Sequence, residues 1–243
     1  MGKPGISPAA SKTGTDPRVA PDRAMKSVRK KDANLTRQRI LHAATMEFAE
    51  HGYSGGRIDR IIKAADVNVR MLYHYFGSKE VLYLAALEET YRTIRESEIT
   101  LGMEEAHPVE GMRRLIELTF DFLNSDPFFV RLIMSENLMK GSIIRKSKAV
   151  PEMTQPLLKS LRALVHRGQQ EGVFHDRVDP ESLYMSILGL SIIQVSNRYT
   201  LSSMFQHDVG DPELLRPRKA SVVEMVISYL TAVNESRDTT TGH

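Results

Sequence analysis

Within nine residues, from Asn68 to Phe76, the chain places Arg70, Tyr73, His74 and Tyr75, and Lys79 follows three positions later. Read as a helix, this stretch buries Leu72 and Phe76 at i and i+4, leaving Arg70, Tyr73 and His74 on other faces. Guanidinium, phenol and imidazole groups displayed together match the needs of phosphate oxygens and base edges, whereas a merely solvated face has no use for two tyrosines beside a histidine. A packed aromatic cluster is the rival reading for Tyr75. Ser78 caps a further helix with Lys79 in its first turn, where the helix dipole and the ammonium group both favour a phosphate.

The elements that must position these groups are short and tightly connected. Ile40, Ala44 and Phe48 fall at i, i+4 and i+8 and give a first helix one buried stripe, ended by His51-Gly52. Ile58, Ile61 and Ile62 make a two-turn amphipathic helix over 57–65. The turn Ala64-Ala65-Asp66-Val67-Asn68 follows: its alanines permit close packing, Asp66 suits a left-handed backbone, and Asn68 caps the next helix. Two short helices meeting steeply form a helix-turn-helix, whose second helix enters the DNA major groove. Competing chemistry fails on context. Gly52-Tyr53-Ser54-Gly55-Gly56 matches the G-x-S-x-G elbow of hydrolases, but the elbow needs a preceding strand and the segment before it is helical. There is no His pair at metal spacing and no glycine-rich phosphate loop, and the chain contains no cysteine. No enzymatic constellation, metal or cofactor is expected.

Gly52-Tyr53, Ile61, Ala64-Ala65, Val67, Leu72-Tyr73-His74-Tyr75-Phe76 and Lys79-Glu80, spread over residues 36–83, resemble the helix-turn-helix signature of TetR-family transcriptional regulators. The resemblance implies an all-helical homodimer with an N-terminal DNA-binding head and a C-terminal domain that takes a small effector and releases DNA in response. It implies DNA contacts at Arg57, Asn68, Val69, Arg70, Met71, Tyr73, His74, Tyr75 and Lys79. The sequence departs from the family in three places. Gly56-Arg57 stands where Thr or Ser commonly opens the second helix, Asp66 replaces a small glycine, and Arg70 replaces a small residue, giving a side chain long enough to reach a guanine edge.

Charge divides the chain as the motif does. Of 243 residues, the first 33 carry eight Lys or Arg against three Asp, the first 80 sum to +7 and the remainder to −4. That asymmetry suits an anionic partner for the N-terminal third. Residues 1–33, poor in apolar and aromatic side chains, read as a disordered basic tail, 34–80 as the DNA-binding domain, 81–234 as a ligand-binding and dimerisation domain, and 235–243 as a flexible tail. Within the all-α body, helices are expected at 78–102, 108–124, 127–143, 152–171, 180–204 and 212–234, with starts marked by Asp126-Pro127, Asp179-Pro180 and Asp211-Pro212. Glu88, Arg92 and Glu96 at i, i+4 spacings would stiffen the first of these. The last two helices are apolar nearly all round, with Ser186 and Gly189 permitting close approach, so they are expected to form a four-helix bundle with a partner's copies. A large intramolecular core is the alternative. Met134, Asn137, His166, Tyr184, Gln194, Asn197 and Arg198 are polar or adaptable groups on apolar segments and the candidates for the effector site. The longest apolar stretch, Leu183 to Val195, is too short to span a bilayer, and the lack of cysteine fits the cytoplasm. The expectation is a ligand-responsive regulator, a repressor, that binds palindromic double-stranded operator DNA as a homodimer. Its competitor is a helical ligand-binding or scaffolding dimer without specific DNA binding.

Overall fold

A computed structural model describes residues 20–232 apart from 104 and 126, with side chains from residue 32 onward. Every regular element among the described residues is helical: α1 (Ala20–Gly55), α2 (Ile58–Ala65), α3 (Val69–Phe76), α4 (Lys79–Ile99), α5 (Pro108–Ser125), α6 (Pro127–Leu138), α7 (Ala149–Gln170), α8 (Pro180–Ser196), α9 (Arg198–Phe205) and α10 (Pro212–Thr231), with a short 3-10 turn over Ile144–Lys146. The caps are those the sequence announces. Asn68 accepts from the Met71 N–H at 2.9 Å, Ser78 from Val81 at 3.1 Å, Asp179 from Ser182 at 2.8 Å and Asp211 from Glu213 at 2.9 Å. Each bond satisfies a donor that a helix start leaves orphaned. Asp66 ends α2 in a left-handed conformation (φ 50). Gly52 (φ 65) kinks α1, so Ser54 follows a helix rather than a strand.

Two main cores organise the helices. The first gathers Ile40, Ala44 and Phe48 of α1, Ile61 and Ala65 of α2, Leu72 and Phe76 of α3, and Leu82, Tyr83, Ala86 and Leu87 of α4. Leu132 of α6 and Ile143, just after it, complete the same core. The second joins α5 (Leu115, Phe120), α7 (Leu161, Leu164), α8 (Leu183, Ile187) and α10 (Val222, Val226). Between them Ile94 packs with Leu123, Phe129 and Val130, so α4 runs as one rod from the first core to the second.

Several expected boundaries move. α1 already runs from Ala20, inside the stretch read as a disordered tail: Pro21 suits a first turn, and Ala24, Met25, Lys26 and Lys30 are good helix formers. Residues 1–19, the tail 235–243 and the Asp126 cap lie outside the described residues. α6 stops at Leu138 rather than 143, because Glu136 turns its carboxylate to the N–H groups of Ile143 and Ile144 (2.8 and 2.9 Å) while Lys140 (φ 58) and Gly141 (φ 66) reverse the chain. α7 starts at Ala149 instead of 152, where Ser147 Oγ accepts from the Val150 N–H at 3.1 Å, and it tolerates Pro156 inside. The helix expected over 180–204 breaks at Asn197 into α8 and α9. Arg92 pairs with Glu89, one turn away, rather than with Glu88 or Glu96. The last two expected helices are not buried on every side within one chain: Met185 is 66% exposed, Met225 42% and Tyr229 51%. No helix among the described residues is long and apolar enough to cross a membrane.

Candidate nucleic-acid interface and effector cavity

The turn ahead of α3 is held from α1. Arg39 donates to the Ala65 carbonyl (Nε, 3.1 Å) and to the Asp66 carbonyl (2.8 Å), tying the left-handed corner to the first helix. Glu47, also on α1, accepts from the Arg57 N–H at 2.9 Å and from Arg60 Nε at 2.8 Å, which serves the start of α2 where no hydroxyl cap exists. Partial burial pushes the Glu47 carboxyl up, but Arg60 and the Arg57 N–H outweigh it and hold the group below the usual carboxylate range. Gly56 lies so close to Phe48 that a Cβ there would stand 2.5 Å from the ring. That explains the glycine where the family prefers a hydroxyl residue.

On this frame α3 buries Leu72 and Phe76 and turns Val69, Arg70, Tyr73 and His74 outward. Val69, 48% exposed, and Tyr73, 44% exposed, stand beside exposed Arg70 and His74. Met71 and Tyr75 are half-buried; Tyr75 packs on the head core and meets His74 edge to face at 5.3 Å, so the aromatic-cluster reading holds for part of its surface. Asn68 spends its side-chain oxygen on the α3 cap. Arg57 is exposed and pairs with Asp59 at 3.1 Å. Lys79 lies over the Tyr53 ring at 4.9 Å, a cation–π contact that positions the ammonium at the start of α4. The nine residues thus lie at the N-cap of α2, on α3 and its cap, and in the first turn of α4, with α3 packed against both α2 and α4.

The seven effector candidates do not converge. Met134, Asn137, His166, Asn197 and Arg198 are exposed; Asn137 is bonded to the Ile133 carbonyl (3.0 Å), and Arg198 to Asp208. Gln194 is buried and donates to the Ser191 carbonyl at 3.0 Å. Tyr184 alone of the seven reaches a cavity-lining group. Its hydroxyl donates to Glu98 Oε1 (3.3 Å) and accepts from Arg95 (3.1 Å), while Arg95 also binds Glu98 Oε2 at 2.6 Å. Arg95 and Glu98 line a cavity of about 410 Å³ between α4 and α7, together with Met103, Met153, Leu157 and Ser160. Burial pushes the Glu98 carboxyl above its ordinary value against the pull of Arg95, and burial with the neighbouring Glu98 charge pushes the Tyr184 phenol up to about 12. Arg95 Nε is buried without a hydrogen-bond partner. The sequence carries one signal of this site: an Arg and a Glu at i, i+3 on the same α4 face as Leu87 and Ile94.

Residues 40–86 match the description "Bacterial regulatory proteins, tetR family", and residues 108–226 match "Tetracyclin repressor-like, C-terminal domain". The chain is similar to the HTH-type transcriptional repressor NicS of Pseudomonas putida, 36% identical over 186 residues that cover 76% of this chain and 88% of that one. It is also similar to the HTH-type transcriptional repressor SCO4008 of Streptomyces coelicolor, 30% identical over 158 residues, covering 65% and 77% of the two chains. In fold it is similar to the ketosteroid transcriptional regulator KstR2 of Mycobacterium tuberculosis (TM-score 0.60, 19% identity, 81% of this chain and 95% of that one). FadR of Bacillus subtilis, solved with stearoyl-CoA, shares the fold with a TM-score of 0.56 at 22% identity over 79% and 98% of the chains. With both halves matched and a repressor aligned along most of its length, this chain belongs to the TetR family of transcriptional regulators.

Proposed function

We propose that two copies of this chain bind a palindromic operator through α2, α3 and the first turn of α4, repressing transcription until a small molecule enters the cavity between α4 and α7. The observation that carries the reading is α3 itself: a helix capped and clamped from α1, buried on one side, with Arg70, Tyr73, His74 and Val69 facing outward. Arg70 is assigned to a base edge, and Arg57, Tyr73 and Lys79 to backbone phosphates, with Asn68, Val69, Met71, His74 and Tyr75 completing the contact surface. The similarity to NicS, a repressor, supports the direction of regulation.

The cavity volume falls in the range that holds small ligands. Arg95 and Glu98 offer a polar end and Met103, Met153 and Leu157 an apolar one, so the effector is an amphipathic small molecule whose polar group meets that ion pair. Dimerisation is assigned to the exposed face of α8 and α10, where Met185, Ile193, Met225 and Tyr229 lie uncovered. Selection from random-sequence DNA combined with sedimentation tests the whole. A dimer that enriches an inverted repeat with half-sites roughly 34 to 36 Å apart, or a multiple, supports it. A dimer that enriches nothing and whose DNA affinity ignores salt supports the competing ligand-binding or scaffolding protein.

A further inference from the structure

The body of this chain is acidic in sum, and the loop after α6 runs against that balance. Residues 81–243 sum to −4, yet the ten from Met139 to Lys148 contain Lys140, Arg145, Lys146 and Lys148 and no acid, so the rest of the body stands at −8. This cationic segment is packed against the head. Ile143, 3% exposed, sits in the same core as Phe48 and Leu72, and Met139 and Ile144 pack on its edge. The two N–H bonds to Glu136 and the left-handed corner at Lys140 and Gly141 fix its course.

One of its charges lies beside the start of α4. Lys146 Nζ is 2.7 Å from Glu80 Oε1, and Glu80 is the residue after Lys79. That pair neutralises an acid which would otherwise repel a phosphate at Lys79. Arg145 is held by backbone carbonyls, Nε to Gly141 at 2.9 Å and the guanidinium tip to Lys140 at 2.6 Å, so it is positioned without losing its charge. Among the described residues Lys146 supplies the loop's ion pair, while Lys140, Arg145 and Lys148 are exposed and uncompensated.

We propose that the loop from Lys140 to Lys148 is a second phosphate-binding element, touching the DNA backbone alongside Lys79 and outside the helix-turn-helix. The inference rests on the DNA-binding reading of α3 and adds a contact surface from the other half of the chain. Cations on a loop outside the recognition helix meet the duplex at its phosphates, and contacts there position the protein without carrying sequence information.

The test measures affinity for a long duplex of arbitrary sequence as salt is varied, for the full chain and for Lys140→Asn with Lys148→Gln. Asparagine tolerates the left-handed backbone at 140, and neither lysine holds the loop in place. The double variant is expected to flatten the slope of log affinity against log salt by about 0.9 for each phosphate no longer neutralised, about 1.8 per subunit. The sequence enriched from a random pool should stay the same, and Lys148→Arg should keep the original slope. An unchanged slope in the double variant, while Lys79→Ala flattens it, overturns the loop contact alone and leaves the cations to another anion such as an acidic protein. A changed sequence preference overturns it too, by making the loop a reader of bases. If the unaltered chain shows neither salt-dependent binding nor any enriched sequence, the reading of α3 fails and this proposal falls with it.

Discussion

Arg70 stands on the exposed side of α3 where the family usually carries a small residue, and its length is what makes base contact feasible. Arg70→Ala is expected to relax preference at one base pair by about 1 to 3 kcal/mol, because alanine cannot make the bidentate bond to guanine. Equal weakening on all sequences in a competition assay would make it a phosphate contact instead. Gly56→Ala tests packing: its Cβ would press on the Phe48 ring at 2.5 Å, and the overpacked head should lose about 1 to 3 kcal/mol in denaturant unfolding. Glu98 gives a pH signature. Its carboxyl titrates above the ordinary value of 4.5 in the folded chain, so folding favours the protonated form; the associated stability is full below pH 4.5 and is lost as pH rises through the elevated value. Unfolding of the native chain and of Glu98→Gln, followed from about pH 4 upward, should therefore show the native chain losing ground to the variant as pH increases. Parallel curves would mean that Glu98 titrates normally.

At the scale of single helices, Ser78 is the informative position. Its hydroxyl caps α4 through the Val81 N–H at 3.1 Å, immediately before Lys79. Ser78→Ala should cost about 1 kcal/mol in thermal unfolding. It should also weaken DNA binding without altering sequence preference, since α4 begins at Lys79, the residue proposed to meet a phosphate. The helices legible in the sequence are those whose signals are local: Asp179-Pro180, Asp211-Pro212 and the Ala64–Asn68 turn each state their own geometry within a few residues. Boundaries set by distant partners are not legible. Glu136 stops α6 by reaching forward to Ile143 and Ile144, and Ser147 both caps α7 and donates to Glu88 Oε1 on α4 at 2.6 Å, a bond across 59 positions that no periodicity displays. The candidate sites divide in the same way. α3 can be read because one short amphipathic stretch carries its donors. The cavity cannot, because Arg95 and Tyr184 are separated by 89 positions, and a lone polar residue such as Asn137 or His166 does not reveal whether it faces inward.

Across the whole molecule, the uncovered face of α8 and α10 is the one proposed for assembly, and the first core is shared by the head and the body. A Cβ at Gly189 would meet nothing within 4 Å in its own chain, so a larger residue there tests the proposed α8–α10 interface without disturbing the subunit's own packing. Gly189→Glu should leave the helical content intact yet shift sedimentation toward monomer and abolish preference for an inverted repeat. A dimer that persists would remove α8 from the interface. α4 spans from Lys79 to the Arg95–Glu98 cavity, so effector and operator are expected to oppose one another through it. Linkage requires reciprocity: titration calorimetry of the effector with and without operator should show the affinity falling by the factor by which effector weakens DNA binding, and identical affinities would refute the coupling. The completion of the DNA-reading core by Leu132 and Ile143 also bears on how such regulators can be recombined. A cassette cut at residue 80 would leave Leu72 and Phe76 without Leu82, Tyr83, Leu132 and Ile143, exposing apolar surface at the cut. Operator specificity in this chain is therefore not inherited as a detachable module: exchanging it between relatives means carrying everything through Ser147, or else transplanting the outward side chains of α3 alone onto an intact host.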